Sequence, residues 1–287
     1  MPAGVLYVVA TPIGNLGDLS PRAAEVLRAA DAVVAEDTRR TRKLYAHLAA
    51  EAPPLLSLPA FGERARLGPI LARLRAGQTL ALCTDAGTPA VSDPGQKLVE
   101  AAWEAGARVV PVPGPSAALA ALSASGIPGD RFLVAGFLPR KGGSRAAALA
   151  ELAATPATLV IFEAGNRVAA TLSDLLGALG DRRAALAREL TKLHEEVARG
   201  RLSDLARRFA GSARGEVTLV VEGAAAEGSA EPAGPPAGPE PLEEELRRRL
   251  EAGEPTAGIA RAVARQRGLP RREVYALLQR MKGEAGG

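Results

Sequence analysis

Over the first 112 residues, short apolar runs take turns with amphipathic segments. "VLYVVA" (Val5–Ala10), "AVVAED", "LLSL", "TLALCT" and "RVVPV" read as strands. "SPRAAEVLRAA" opens a helix with Ser20 as N-cap and Pro21 at the first helical position, where a missing N–H costs nothing. "TRRTRKLYAHL" predicts a second helix with Thr38 as candidate cap; a third lies around Leu67–Leu74 and a fourth ends near Gly106. The strand runs are apolar throughout and do not alternate with polar residues. That pattern suits strands covered by helices on both faces, a parallel α/β sheet.

"PGPS" at Pro113–Ser116 breaks the rhythm. Beyond it, "AALAALSASG" predicts a helix stopped at Gly126, and "DRFLVAGFLP" and "ATLVIFEAG" predict strands around a helix at Arg145–Ala154. A helix at Val168–Leu179 follows, then the strands "RAALAREL", "EEVARG" and "EVTLVVEG", with "SDLARRFA" a helix between the last two. The expected organisation is an N-terminal α/β domain at 1–113 and a mixed-sheet α/β domain at 114–223. Residues 224–240, rich in Pro, Gly, Ala and Glu, read as a linker with little to bury. Residues 241–283 read as a small helical module resembling a helix-turn-helix, its first helix capped by Gly253. Residues 261–282 hold seven Arg or Lys against one Glu, which gives the module a basic face.

Composition narrows the chemistry. The chain has 287 residues, 47% apolar and 24% charged, with no run of eighteen apolar residues that would span a membrane. The N-terminus lacks a basic leader and reads as a first strand, so a cytoplasmic setting is expected. One cysteine, Cys83, excludes an internal disulfide and a cysteine metal cage, and it lies in an apolar strand where a buried structural thiol is expected. With two histidines, His47 and His194, no metal site is expected. The net charge of +4 permits a polyanionic partner. Aromatic residues are only 3%, so a base-stacking platform is not expected and arginine must supply most of any nucleic-acid contact.

In an open parallel sheet, ligands bind beyond the carboxyl ends of the strands. Four loops leave such ends: "ATPIGNLGDLS", "AEDTRRTRK", "TDAGTPAVSDPG" and "PVPGPSA". None carries G-x-G-x-x-G or G-K-[ST], so the common dinucleotide and triphosphate signatures are missing. Glycines and small residues at one sheet edge instead let a ligand touch backbone N–H and C=O groups. In the third loop, Ser92 reads as the cap of the next helix, with Asp93 and Pro94 in its first turn.

These loops, together with "FLVAGFLPRKG" and "ARELTKLHEE", resemble the ribosomal RNA small-subunit methyltransferase I family. That family is the RNA-modifying branch of the tetrapyrrole-methylase (class III) fold. The resemblance runs in order over roughly 5–223 and implies 2′-O-methylation of a cytidine in the decoding region of 16S rRNA. It further implies S-adenosylmethionine as donor, 16S rRNA or the small ribosomal subunit as partner, and a homodimer. Gly87-Thr88-Pro89 match the fold's cofactor loop, which places Asp85, Gly87, Ala90 and Val91 beside the donor. Ser116 and Ala117 would contact it through hydroxyl and backbone. Ala164, Leu190 and the strand at 216–218 would hold its adenine, with Pro12 and Gly14 at the mouth.

The chain departs from the family pattern twice. Pro59-Ala60-Phe61-Gly62 stand where a His-Glu-His-Asn run is usual, and Phe162-Glu163-Ala164-Gly165-Asn166-Arg167 where Tyr-Glu-Ser-Pro-His-Arg is usual. Histidine roles therefore do not transfer. For catalysis the candidates are Glu36, Asp37 and Lys141, although Asp37 suits a helix cap and Glu36 a partner for a nearby arginine. For phosphate contact they are Arg39, Arg40, Arg42, Lys43, Arg140 and Arg145. Two other readings stay open: a methylase of a small tetrapyrrole, and a non-catalytic ribosome-binding protein.

Overall fold

The computed structural model describes residues 3–59, 62–211, 215–225, 242–251, 254–267 and 269–284. Most of the expected linker, and the Gly253 cap, lie outside them, as do Ala60 and Phe61. By its internal contacts the chain divides into Met1–Ala224 and Ala225–Gly287.

The first unit holds two five-stranded sheets. In the N-terminal half the strands are β1 (Val5–Val9), β2 (Ala32–Ala35), β3 (Leu55–Ser57), β4 (Thr79–Cys83) and β5 (Arg108–Val112), alternating with helices α1 (Pro21–Ala29), α2 (Thr38–His47), α3 (Glu63–Arg75) and α4 (Gln96–Glu104). The sheet order is β3-β2-β4-β1-β5 and every pairing is parallel. All five strands therefore deliver their chain ends to one edge. Helices cover both faces, so Leu6, Leu80 and Leu82 pack in one core, and Val9, Val33 and Ala81 in another on the opposite side. Burying a leucine side chain contributes about 1.5–3 kcal/mol, so these unbroken apolar runs drive the sheet's formation.

The chain then crosses to the second sheet. Helix α5 (Ala117–Ser125) starts on Ser116, whose hydroxyl accepts from the Leu119 N–H at 3.5 Å, and ends at Gly126 with φ +65°. Strand β6 (Phe132–Phe137), α6 (Gly143–Ala154), β7 (Thr158–Ala164), α7 (Val168–Leu179), β8 (Arg183–Arg188), β9 (Glu196–Arg201), α8 (Leu202–Arg208) and β10 (Glu216–Val221) follow. The order is β6-β7-β10-β8-β9; β6 and β7 run parallel and the other pairings are antiparallel. The last strand in sequence thus lies in the middle of the sheet. Because β10 opposes both β7 and β8, its beginning sits beside their ends, with Glu216 opposite Ala164 and Val217 opposite Arg188.

The second unit comprises α9 (Leu242–Glu251), α10 (Thr256–Arg267) and α11 (Arg271–Glu284) around its own core of Leu246, Ile259, Val263, Val274 and Leu278. Glu245, only 4% exposed, is neutralised there by Arg267 at 2.6 Å. Arg261, Arg271, Arg272 and Arg280 stay exposed. Among the described residues, no helix is long and apolar enough to cross a membrane.

Two caps differ from the sequence expectation. Helix α2 is capped by Asp37 rather than Thr38: its carboxylate accepts from the Arg39 N–H at 2.8 Å, and Thr38 is the first helical residue. Helix α4 begins at Gln96, not after Ser92. Ala90 (φ +66°), Ser92 (φ +61°) and Gly95 (φ +125°) all take left-handed backbone, which a helical turn excludes.

Candidate active site

A cavity of about 300 Å³ opens where the parallel sheet's carboxyl edge faces the ends of β7, β8 and β6. From the N-terminal half it is lined by Glu36 after β2, by Asp85, Gly87, Thr88 and Val91 after β4, and by Ser116 and Ala117 at the start of α5. From the other half come Phe137, Phe162, Leu190 and the start of β10 at Glu216–Thr218. Its size falls at the low end for small-molecule sites.

The loop after β4 is held open by specific contacts. Thr11 and Gly87 exchange two backbone hydrogen bonds, at 2.9 and 3.0 Å, which tie the loop after β1 to the one after β4. Gly87 needs its left-handed φ of +84° for this exchange. The chain then doubles back: the Ala90 N–H donates to the Pro94 carbonyl at 3.3 Å. Two non-glycine residues in left-handed backbone within three positions cost about 1 kcal/mol or more each, and such strain concentrates at functional sites.

Gly14 closes the far side. A Cβ there would lie 2.8 Å from the Thr191 hydroxyl and 3.0 Å from the Leu190 carbonyl, so the loop after β1 packs directly on the β8–β9 connection. Pro12, Gly14, Pro89, Ala90 and Ala164 do not form the cavity wall; they sit beside residues that do, such as Ile13, Thr88 and Glu163. The cavity brings together the other cofactor candidates: Asp85, Gly87, Thr88, Val91, Ser116, Ala117 and Leu190.

The electrostatics are lopsided. The lining has six carboxyl groups and two cationic side chains. Both cations are engaged: Arg40 with Asp85 at 3.3 Å and Lys192 with Glu189 at 3.0 Å. Burial raises the pKa of Glu36, whose carboxylate accepts the Asp85 N–H at 3.3 Å, and it raises that of Asp85. Asp93 is pushed up to about 6, chiefly by burial and then by the charge of Glu36. Glu163 is 1% exposed and fully engaged: it accepts from the Thr171 hydroxyl at 2.6 Å and from the Ala164 N–H at 2.8 Å, and pairs with Arg167 at 3.3 Å. Among the described residues, no group of three or more His, Cys, Asp or Glu is placed to hold a metal ion.

Three candidates take other positions. Asp37 caps α2 and is held by the Arg39 side chain down to about 2, so it is a structural acid that does not face the cavity. Lys141 lies with Arg140 beside a separate concavity lined by Arg167 and Asp174. Arg145 is not presented to a partner: it is 8% exposed and its guanidinium donates to Asp174 at 2.7 Å, the Pro139 carbonyl at 2.9 Å and the Thr171 hydroxyl at 3.0 Å. Arg39, Arg40, Arg42, Lys43, Arg140 and Lys141 are all exposed.

The sequence reading missed Phe137, Glu189, Lys192 and, above all, Asp93 as cavity residues. Only the fold brings the end of β6 here and shows which neighbours of Leu190 join it. Asp93 was hidden because "SDP" mimics a helix start, and only the left-handed Ser92 turns it aside.

The family model for Tetrapyrrole (Corrin/Porphyrin) Methylases matches residues 5–206. The ribosomal RNA small subunit methyltransferase I of Xylella fastidiosa (strain Temecula1 / ATCC 700964) is 46% identical over 276 residues, covering 95% of this chain and 98% of that protein. Its counterpart in Synechocystis sp. (strain ATCC 27184 / PCC 6803 / Kazusa) is 43% identical, covering 96% and 97%. Among solved structures, the methyltransferase CobJ aligns with a TM-score of 0.59 at 21% identity, over 78% of this chain and 95% of that one. Uroporphyrin-III C-methyl transferase from Thermus thermophilus, complexed with S-adenyl homocysteine, aligns at 0.55 and 23%, over 76% and 96%.

Proposed function

The chain belongs to the ribosomal RNA small subunit methyltransferase I family, within the tetrapyrrole methylases, and from that premise we propose that it methylates the 2′-hydroxyl of a cytidine in the decoding region of 16S rRNA with S-adenosylmethionine as donor. The observation that carries this reading is the acid-lined cavity at the strand ends, with six carboxyl groups against two engaged cations. A donor bearing both a sulfonium and an ammonium group is complementary to such a lining. Bound there, it supplies an electrophilic methyl group.

The chain's own residues have three tasks. The Gly87–Val91 loop and the start of α5 offer backbone groups and the Ser116 hydroxyl to a polar ligand. Phe137 and Phe162, with ring centroids 5.7 Å apart, form an apolar wall on the opposite side. Such a wall gives a ligand an apolar face and helps hold the reacting atoms in line, the main source of rate in a displacement of this kind. Outside the cavity, Arg39, Arg42, Lys43, Arg140 and Lys141 supply exposed positive charge for RNA phosphates, and so position the target without reading its sequence. A homodimer accords with the exposed edge strand β6, where Phe132 and Leu133 remain 41% and 38% accessible.

The test is incubation with methyl-labelled S-adenosylmethionine and, in parallel, small ribosomal subunits, free 16S rRNA or a tetrapyrrole. Label at a cytidine ribose in RNA from the first or second supports the proposal. Label only on the tetrapyrrole, or none at all despite subunit binding, rejects it.

A further inference from the structure

We propose that Asp93 is the general base of this site, accepting the proton of the ribose hydroxyl as its oxygen attacks the methyl group. This rests on the function proposed above and adds the residue that handles the proton.

Geometry singles Asp93 out among the cavity's carboxylates. Asp85 is taken up by Arg40 at 3.3 Å and by the Asp37 N–H at 3.1 Å. Glu163 is buried and held by Thr171, the Ala164 N–H and Arg167. Glu189 is paired with Lys192 at 3.0 Å. Glu36 accepts the Asp85 N–H and lies in the field of Arg40. Glu216, at the exposed start of β10, faces Asp93 but stays open to water. Asp93 has no ion-pair partner among the described residues. The Thr84 hydroxyl, at the end of β4, lies near enough to favour its charged form without neutralising it.

The backbone that presents it is unusual. Ser92 at φ +61° and Gly95 at φ +125° bracket Asp93, and their conformations keep it from beginning α4 and face it into the cavity instead. Strained backbone maintained beside a cavity is expected where a side chain's position matters more than local stability.

The chemistry balances. The hydroxyl oxygen forms a bond to the methyl carbon as the carbon–sulfur bond breaks; the hydroxyl proton passes to the Asp93 carboxylate, and a neutral thioether leaves. The proton then returns to solvent. A base titrating near neutrality is effective here, because it is ionised at working pH yet still basic enough to take a proton. Asp93, raised to about 6 by burial and by the charges of Glu36, Asp85 and Glu216, meets that condition. Arg40 and Lys192, the cations lining the same cavity, are directed to Asp85 and Glu189 and do not pair with it.

The test compares the wild-type protein with Asp93→Asn, which keeps the shape and removes the charge, and with Asp93→Glu. Single-turnover methylation of small subunits should fall by about 100-fold or more in Asp93→Asn. Binding of S-adenosylmethionine by calorimetry should weaken at least tenfold less than the rate falls, because five of the six lining carboxyl groups remain. The wild-type rate should rise with pH towards a plateau above about 6, and Asp93→Glu should regain part of the rate with that profile displaced. A readout free of activity accompanies these. Asp93 binds its proton more tightly folded than unfolded, so its stabilising contribution is complete below its ordinary 3.8 and is lost as pH rises through about 6. Thermal unfolding of Asp93→Asn should match wild type near pH 4 and exceed it above pH 6.

Asp93→Asn retaining a rate within threefold of wild type would overturn the proposal, as would its losing donor affinity in the same measure as rate, or melting curves that do not separate with pH. Failure of wild-type protein to label any ribose refutes the function itself, and is distinguished because it appears without any substitution.

Discussion

Arg145 separates a scaffold role from an RNA contact. In sequence it belongs with Arg140 and Lys141 as a phosphate ligand, yet the structure buries its guanidinium under three hydrogen bonds. Arg145→Ala removes all three. The cost is uneven. The Asp174 side chain is 42% exposed, so water replaces its lost partner. Thr171 is fully buried, but it still donates to Glu163 at 2.6 Å and loses only what it accepted. The loss therefore falls below the 3–5 kcal/mol typical of breaking a fully buried ion pair, and comes to about 2–3 kcal/mol once the packing of the arginine stem is included. For a folded unit of this size that lowers the melting temperature by about 5–10 °C. The assay is equilibrium urea unfolding alongside subunit binding measured across a salt series. The expected result is a lower midpoint with an unchanged salt slope. A variant that melts like wild type while its salt slope falls by about one phosphate contact would refute the buried-scaffold argument.

Arg140→Ala with Lys141→Ala should do the reverse, leaving the melting temperature in place and reducing the salt slope of rRNA binding by about 1.4–1.8; an unchanged slope removes these residues from the phosphate interface. Gly14→Ala forces the loop after β1 away from the Leu190 carbonyl and should weaken donor binding by about tenfold or more, measured by calorimetry; equal affinity would mean the two loops do not close the site together. Cys83, 1% exposed and with its thiol pushed up to about 12, should resist maleimide at pH 8 until denaturant is added; rapid labelling of folded protein would contradict the burial of β4.

Much of the fold was legible because the first sheet is parallel and doubly covered. Apolar runs such as "TLALC" admit few other environments, and α7 occupies the span its periodicity predicts, Val168–Leu179. The strand order was not legible. Nothing in "EVTLVV" says that the last strand inserts between β7 and β8, although this insertion carries Glu216–Thr218 to the cavity. The cavity's glycine loops were readable as ligand-facing, since small residues at strand ends have few structural reasons to gather. The acid assignments were less so. Asp37 precedes a helix in sequence and caps it in the structure, whereas Asp93 precedes a helix in sequence and faces the cavity. The difference lies in the φ of Ser92, which composition does not encode. Arg145 likewise shares its charge with Arg140, and only the position of Asp174 and Thr171 on α7 draws it inward.

The methylated product itself separates the possible activities. Small subunits treated with this protein and S-adenosylmethionine should yield, after complete digestion and mass spectrometry, one additional 2′-O-methylcytidine that maps to the decoding region. Methylation on a base, on another nucleoside's ribose, or on no RNA at all would contradict it.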